Sequence, residues 1–205
     1  MKNRTLGTIA LLGAPFLFIS FQFPATQSDA LGDSSISSSF GLLYLLGWMC
    51  SIYALYRMRA AGESLVGKVL LPALLISLAI ACTSNAYALV FPQDKSGLYF
   101  YLDLFWPISN LLMFVTGVTV ALANKLPGWK RFVPLAVGSW FLLMASCVTL
   151  FGRTPITGTF LGLYATFAWS LMAVMIMETK DKRQPAPKAA KLIYSAEKRL
   201  PVQTV

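Results

Sequence analysis

The chain has 205 residues, of which 57% are hydrophobic and only 12% are charged, whereas about a quarter of the residues in a soluble domain are charged. It contains no histidine, and its three cysteines lie in separate hydrophobic blocks, so we expect no haem, no metal centre, no other cofactor and no thiol redox motif. The net charge of +9 is dispersed over four short segments, which argues against nucleic-acid binding.

Six hydrophobic segments follow one another along the chain, each about the length needed to cross a hydrocarbon core. They cover approximately residues 6–23, 40–57, 66–91, 98–123, 132–151 and 157–177. Pro24 and Pro92 stand just past the first and third segments, where a helix stops. We therefore predict an all-α polytopic membrane protein, in which residues 1–177 form a bundle of six transmembrane helices.

The first segment also has a second interpretation. Lys2 and Arg4 precede its apolar run, and the Ser-Asp-Ala sequence at 28–30 resembles a cleavage site, an outline typical of a secretory signal peptide. Because the sequence begins at Met1 and includes this segment, we take it as a transmembrane helix. The serine-rich loop 24–39 that follows is interpreted as a solvated loop.

Lysine and arginine are distributed unequally between the loops. Fifteen of the 17 fall on one side of the predicted bundle, and only Lys95 and Arg153 fall on the other. The 15 are Lys2, Arg4, Arg57, Arg59, Lys68, Lys125, Lys130, Arg131, Lys180, Lys182, Arg183, Lys188, Lys191, Lys198 and Arg199. Because cytoplasmic loops carry the excess of basic residues, we predict that both termini are cytoplasmic (N-in/C-in) and expect the inner (cell) membrane of a bacterium.

The basic tail, residues 178–205, changes pattern along its length. Its first part is polar and contains two prolines, whereas over 188–200 apolar residues recur at helical spacing among basic ones. This pattern predicts a short amphipathic helix on the anionic inner leaflet, with membrane lipids as its partners. The alternative is a disordered tail that its charge alone holds near the membrane.

The fourth segment carries the most informative polar residues. Asp103, Trp106 and Asn110 follow one another at intervals of three and four residues, so they share one helix face. Polar groups inside a membrane usually face the bundle interior. Pro107 removes a backbone hydrogen bond, and we expect a kink there that opens a cavity. The alternative is that Asp103 is a solvated or capping residue at the membrane interface.

Other segments contribute polar and aromatic residues at a similar depth. Trp48, Trp106 and Trp169 lie at a similar depth in their segments, so we predict one aromatic layer in the outer half of the bundle. Tyr44 shares a helix face with Trp48. Asn85 and Arg153 lie near the same side, and we expect Arg153 to pair with Asp103. The candidate ligand-binding residues are Tyr44, Trp48, Asn85, Asp103, Trp106, Asn110, Arg153 and Trp169.

Three functions remain in competition on the sequence alone. The first is binding of a small amphipathic or lipid-like molecule in an outward-facing cavity, with transport or sensing as its consequence. The second is a structural subunit of a larger membrane complex or a homo-oligomer, with contacts through the small residues Gly158 and Gly162. The third is a lipid-modifying enzyme using Asp103, which we disfavour because no nucleophile motif or second buried carboxylate accompanies it.

Overall fold

A computed structural model of the protein describes residues 1–22, 35–92, 94 and 97–179. Within that part of the chain all regular structure is helical, and six helical spans are long and apolar enough to cross a membrane, which confirms the predicted helical class and the number of spans. The elements are α1 (Asn3–Gly13), α2 (Phe16–Phe21), α3 (Ser35–Arg57), α4 (Leu65–Val90), α5 (Gly97–Asp103), α6 (Phe105–Ala123), a 3₁₀ helix (Gly128–Phe132), α7 (Val133–Phe151) and α8 (Pro155–Glu178). The predicted tail helix over 188–200, the loop residues 23–34 and Lys95 lie outside the described residues.

Two of the six spans are interrupted, and a proline explains each break. The first span divides into α1 and α2 at Pro15, and the fourth divides into α5 and α6 at Leu104. A proline has no N–H to donate to the carbonyl four residues earlier. For Pro107 that carbonyl belongs to Asp103, the last residue of α5, so the hydrogen-bond ladder is interrupted where the predicted kink falls.

Helix α3 begins five residues earlier than the sequence pattern predicts, because part of the serine run is helical. Ser37 Oγ lies 2.9 Å from Ser20 Oγ at the end of the first span. Ser38 is buried. Small hydroxyl side chains therefore pack between the first two spans, and these contacts accompany the extension of α3 on the N-terminal side of its predicted start.

The spans form a closed ring in which each contacts the next along the chain. The first span closes the ring, because α1 and α2 each pack against both α3 and α8. Neighbouring helices approach closely at glycines: a Cβ added to Gly13 would lie 2.9 Å from Gly47 Cα, and one added to Gly117 would lie 2.4 Å from Leu135 Cα. These contacts fix the helix spacing and leave the middle of the ring to be filled by larger side chains.

One end of the ring collects the basic residues, and we call it the basic end. Asn3 Nδ2 donates to the carbonyl of Thr179 at 3.2 Å, and Lys130 Nζ lies 2.9 Å from Glu178 Oε2, so the N-terminus, the α6–α7 connection and the end of α8 are adjacent. Of the lysines and arginines in the described ranges, all except Arg153 belong to this end. A hydrogen bond from Arg59 at 2.8 Å, together with its charge, lowers the pKa of Glu63 there.

Candidate functional site

The middle of the ring is filled by five aromatic side chains from four helices, which we call the aromatic core. They are Tyr44 and Trp48 from α3, Trp106 from α6, Trp140 from α7 and Trp169 from α8. The exposed fraction is 1% for Tyr44, 0% for Trp48 and Trp140, and 2% for Trp169, whereas Trp106 is half-buried. A ring of six helices encloses more space than aliphatic side chains fill easily, and indole rings supply the missing volume.

The five rings contact one another in a continuous chain. Trp48 and Trp169 meet edge to face with their centroids 5.3 Å apart, and Tyr44 lies 5.8 Å from Trp48 and 5.5 Å from Trp169. Trp140 extends the chain, with centroid distances of 6.2 Å to Trp169 and 5.6 Å to Trp106. Such edge-to-face pairs contribute about 0.5–1.5 kcal/mol each beyond the area they bury, so the aromatic core is a cohesive layer.

The polar atoms of the aromatic core divide into two groups. Trp140 Nε1 donates to the carbonyl of Leu161 at 3.0 Å, which fixes that ring between α7 and α8. By contrast, Tyr44 Oη, Trp48 Nε1 and Trp169 Nε1 are buried and have no hydrogen-bond partner among the described residues. Among the five rings, these are the three of which each contacts both of the others.

A fourth buried atom without a partner within the described ranges, Ser51 Oγ, lies one helical turn from Trp48 on α3. Leaving a buried polar atom without a hydrogen bond costs about 1–3 kcal/mol, and native interiors contain few such atoms. A group of such atoms at one place therefore identifies the part of the fold where a bound molecule could form the most new hydrogen bonds. The hydrogen-bonding capacity there is two indole donors and two hydroxyl groups.

The two predicted amides have local roles beside this layer. Asn110 is buried, and its Nδ2 donates to the carbonyl of Trp106 at 2.9 Å, one turn earlier in α6. Asn85 Nδ2 donates to the carbonyl of Ala81 at 3.3 Å, and its Oδ1 lies 2.6 Å from where a Cβ on Gly41 would stand. Asn85 therefore packs at the contact between α3 and α4, while Asn110 supports the α6 side of the aromatic core.

The two predicted charged residues lie elsewhere. Asp103 is exposed at the end of α5, which packs against α4 and α6, so the break at Leu104 separates it from the buried face of α6 that holds Asn110. Arg153 is exposed in the turn between α7 and α8. The ion pairs found within the described ranges do not join these two residues. The structure thus brings the expected aromatic residues together but leaves the expected charges outside.

The aromatic core also differs from the expected site in depth and openness. Because α3 and α8 begin earlier than predicted, Trp48 and Trp169 lie near the middle of their helices, deeper than the outer half. The rings touch one another, and all except the half-buried Trp106 are closed to solvent, so they do not line an open cavity. Trp140, in α7, was not among the predicted site residues. Counting its position from the far end of that helix places it at the depth of Trp48 and Trp169.

The remaining polar chemistry of the bundle is modest. Ser77 Oγ and Ser109 Oγ are 2.8 Å apart and link α4 to α6. Within the described ranges no group of three or more Cys, Asp and Glu side chains is arranged to hold a metal ion.

No protein-family model, curated protein or solved structure matches the chain. The guide to function is therefore the aromatic core itself, which contains hydrogen-bonding groups but no carboxylate or amine.

Proposed function

We propose that this protein is an integral membrane protein that binds a small amphipathic or lipid-like molecule within the aromatic core. The observation that carries the proposal is the group of buried polar atoms of Tyr44, Trp48 and Trp169, which have no partner among the described residues although their rings contact one another. A bound molecule with oxygen acceptors would satisfy the two indole donors and recover much of the cost of burying them.

The membrane location is supported by the surface as well as by the six spans. Large apolar side chains such as Leu122, Ile156 and Phe167 are exposed on the outside of the ring, where lipid would cover them. The basic end favours the orientation with both termini in the cytoplasm. Two variants test this orientation. Each carries a single cysteine, in place of Lys125 in the first and of Arg153 in the second, in a background without the native cysteines. A membrane-impermeant maleimide applied to intact cells should label the second variant and spare the first, and the reverse pattern would refute it.

The chemistry of the core restricts the class of ligand. It offers indole N–H donors and a phenol in an aromatic setting, with no ionised side chain among the five rings. An anion would have no cationic partner there. A cation could be attracted to the ring faces, but it would offer no acceptor to the two indole N–H groups. The proposed ligand is therefore neutral where it meets the core, with one or more carbonyl, ester or ether oxygens on an apolar body.

Entry of such a molecule requires movement, because the rings are in contact. The first span covers the line where α3 meets α8, with Phe16 stacked on Phe40 at 5.6 Å between centroids. Phe18 lies against Gly162 of α8. Because Pro15 lacks an N–H, the backbone hydrogen-bond ladder is interrupted between α1 and α2, so displacing α2 would break fewer hydrogen bonds than bending a continuous helix. Displacement of α2 would open a lateral route to Tyr44 and Trp169, and transport or sensing would follow from that opening.

The direct test is native mass spectrometry of protein purified in mild detergent, combined with extraction and identification of retained small molecules. We expect a neutral molecule bound to the wild type. Trp169→Phe should lose it, because the donor Nε1 disappears, whereas the matched variant Trp140→Phe should retain it, because that N–H already donates to Leu161. Equal retention by both variants, with normal melting temperatures, would show that the molecule sits elsewhere.

A second function, as a subunit of a larger membrane assembly or a homo-oligomer, is favoured by one feature of α8. Gly158 has no atom within 4 Å of the Cβ it lacks, and a shallow depression of about 390 Å³ beside it is lined by Pro155, Ile156, Thr159, Phe160 and Leu163. A partner helix could pack there against Gly158, whereas Gly162 already packs against Phe18 within the bundle. Gly158→Leu should then dissociate the assembly in mild detergent, and an unchanged oligomeric state would remove this alternative.

A further inference from the structure

The connection between α6 and α7, residues 124–132, combines exposed aromatic rings with basic side chains. Trp129 and Phe132 are 53% and 48% exposed, although Leu126 between the helices is buried and anchors the connection. The same connection contains three basic residues: Lys130 and Arg131 lie between the two aromatic residues in the sequence, and Lys125 precedes them. Tryptophan beside basic residues is typical of the headgroup level of a membrane, where the rings meet the acyl chains and the charges meet phosphates.

The three basic residues differ in how far they are neutralised. Lys130 is paired with Glu178 at 2.9 Å, and the charge of Lys125 acts on Glu63, whose pKa it helps to lower. Arg131 has no acidic partner within the part of the chain that the structure describes. Lys125 also forms no ion pair within those ranges, but of the two only Arg131 has its charged group held in position by neighbouring side chains.

The guanidinium of Arg131 is nevertheless held in place. Its Nη1 donates to Asn124 Oδ1 at 2.7 Å, and its Cζ lies 4.7 Å from the centroid of the Phe132 ring. Its Nε is buried and without a partner in the described ranges. Asn124 itself has a left-handed backbone, with φ of 51°, where it ends α6 and turns the chain. A cation fixed by a neutral amide and an aromatic face is preorganised for an anion rather than neutralised by one.

We propose that the α6–α7 connection binds the headgroup of an anionic phospholipid, with Arg131 contacting the phosphate and Trp129 and Phe132 contacting the glycerol and the first part of the acyl chains. A phospholipid fits better than free phosphate because the exposed rings on either side of the charge require an apolar partner. Guanidinium binds phosphate through paired N–H donors, which a lysine at the same position does not reproduce. The site lies at the basic end and is separate from the aromatic core.

The test uses the full chain, delipidated in mild detergent and titrated with phosphatidylglycerol or phosphatidylcholine of the same acyl chains, with binding of the first lipid followed by native mass spectrometry. We expect tighter binding of phosphatidylglycerol. Arg131→Gln should weaken that binding about tenfold, the loss expected for one charge-assisted hydrogen bond, and should weaken phosphatidylcholine binding less, because the choline group offsets the charge of its phosphate. The control is Arg59→Gln, which removes an equal charge from the same end but from a residue already bonded to Glu63, and it should bind like the wild type.

Several results would overturn the proposal. Equal losses in Arg131→Gln and Arg59→Gln would indicate diffuse charge attraction, and no loss in either would remove the site. Displacement of the lipid by millimolar inorganic phosphate would show a simple anion site. If Arg131→Gln does not fold, Asn124→Gly tests the same point, because glycine keeps the left-handed turn while removing the amide that positions the guanidinium. It should lower phosphatidylglycerol affinity several-fold, and wild-type affinity would contradict the proposal.

Discussion

Two tryptophans in the aromatic core allow a matched comparison of nearly identical substitutions. Trp48 and Trp140 are both fully buried, and each contacts two other aromatic rings. They differ in the indole N–H, since Trp140 donates to Leu161 and Trp48 has no partner among the described residues. Replacing each by phenylalanine removes a similar volume, so the loss of packing largely cancels between the two variants. The remaining difference in their free energies of unfolding reports on the indole N–H.

The magnitude follows from that difference. Trp140→Phe loses a hydrogen bond worth about 1 kcal/mol net, whereas Trp48→Phe removes a buried donor whose lack of a partner costs about 1–3 kcal/mol. Hydrogen bonds between membrane helices average nearer 0.6 kcal/mol, so we take a difference of about 2 kcal/mol in the free energy of unfolding. For a chain of this size that corresponds to roughly 4–8 °C in melting temperature.

The assay is thermal unfolding in one detergent, after exhaustive delipidation so that no ligand stabilises the wild type. Trp140→Phe should melt below Trp48→Phe by the margin given above. If Trp48→Phe melts at the same temperature or lower, then Trp48 Nε1 has a partner within the protein, and the reasoning that assigns a ligand to it fails. If the expected order is found, adding back the native lipid extract should reduce the difference in melting temperature between Trp48→Phe and Trp140→Phe, because only Trp140→Phe regains the ligand.

Three further tests use substitutions at helix contacts and at the break before α6. Gly117→Ala places a Cβ 2.4 Å from a backbone atom of α7 and should destabilise by roughly 2 kcal/mol or more in a denaturation curve, whereas Gly158→Ala meets nothing within 4 Å and should be near neutral. In a double-mutant cycle, Ser77→Ala and Ser109→Ala should show coupling of about 0.6 kcal/mol through their shared hydrogen bond, and simple additivity would deny it. Pro107→Ala restores an N–H across the break before α6 and should show a protected amide at 107 by hydrogen exchange, while fast exchange would mean the break has another cause.

The helical spans could be predicted because length and hydropathy alone determine them. Each predicted segment coincides with a helical span, and the kink before α6 follows from Pro107. The early start of α3 could not be predicted, because serines are weak helix formers and these are held by contacts with the first span, such as Ser20 with Ser37. That error displaced the predicted depth of Trp48 by more than a turn.

The site was predictable in its residue type and not in its detail. The shared layer of Trp48, Trp106 and Trp169 follows from their similar depth in the three segments. Which face of a helix points into the middle of the bundle depends on how all six spans pack. Asp103 falls on the same face as Asn110 in an uninterrupted helix, and the break before α6 removes that relation. Which indole donors find a partner depends on individual carbonyl positions, about which the sequence carries no information.

The central claim, that a neutral molecule accepts hydrogen bonds from Trp48 and Trp169, is tested most directly by the indole N–H resonances of the protein. With ¹⁵N-labelled tryptophan the five indoles give five signals, assigned by single Trp→Phe substitutions. Comparing gently purified protein with exhaustively delipidated protein, we predict that the Trp48 and Trp169 signals shift while that of Trp140, bonded to Leu161, stays in place. Unchanged Trp48 and Trp169 signals, in a sample shown by mass spectrometry to have lost a bound molecule, would contradict the account.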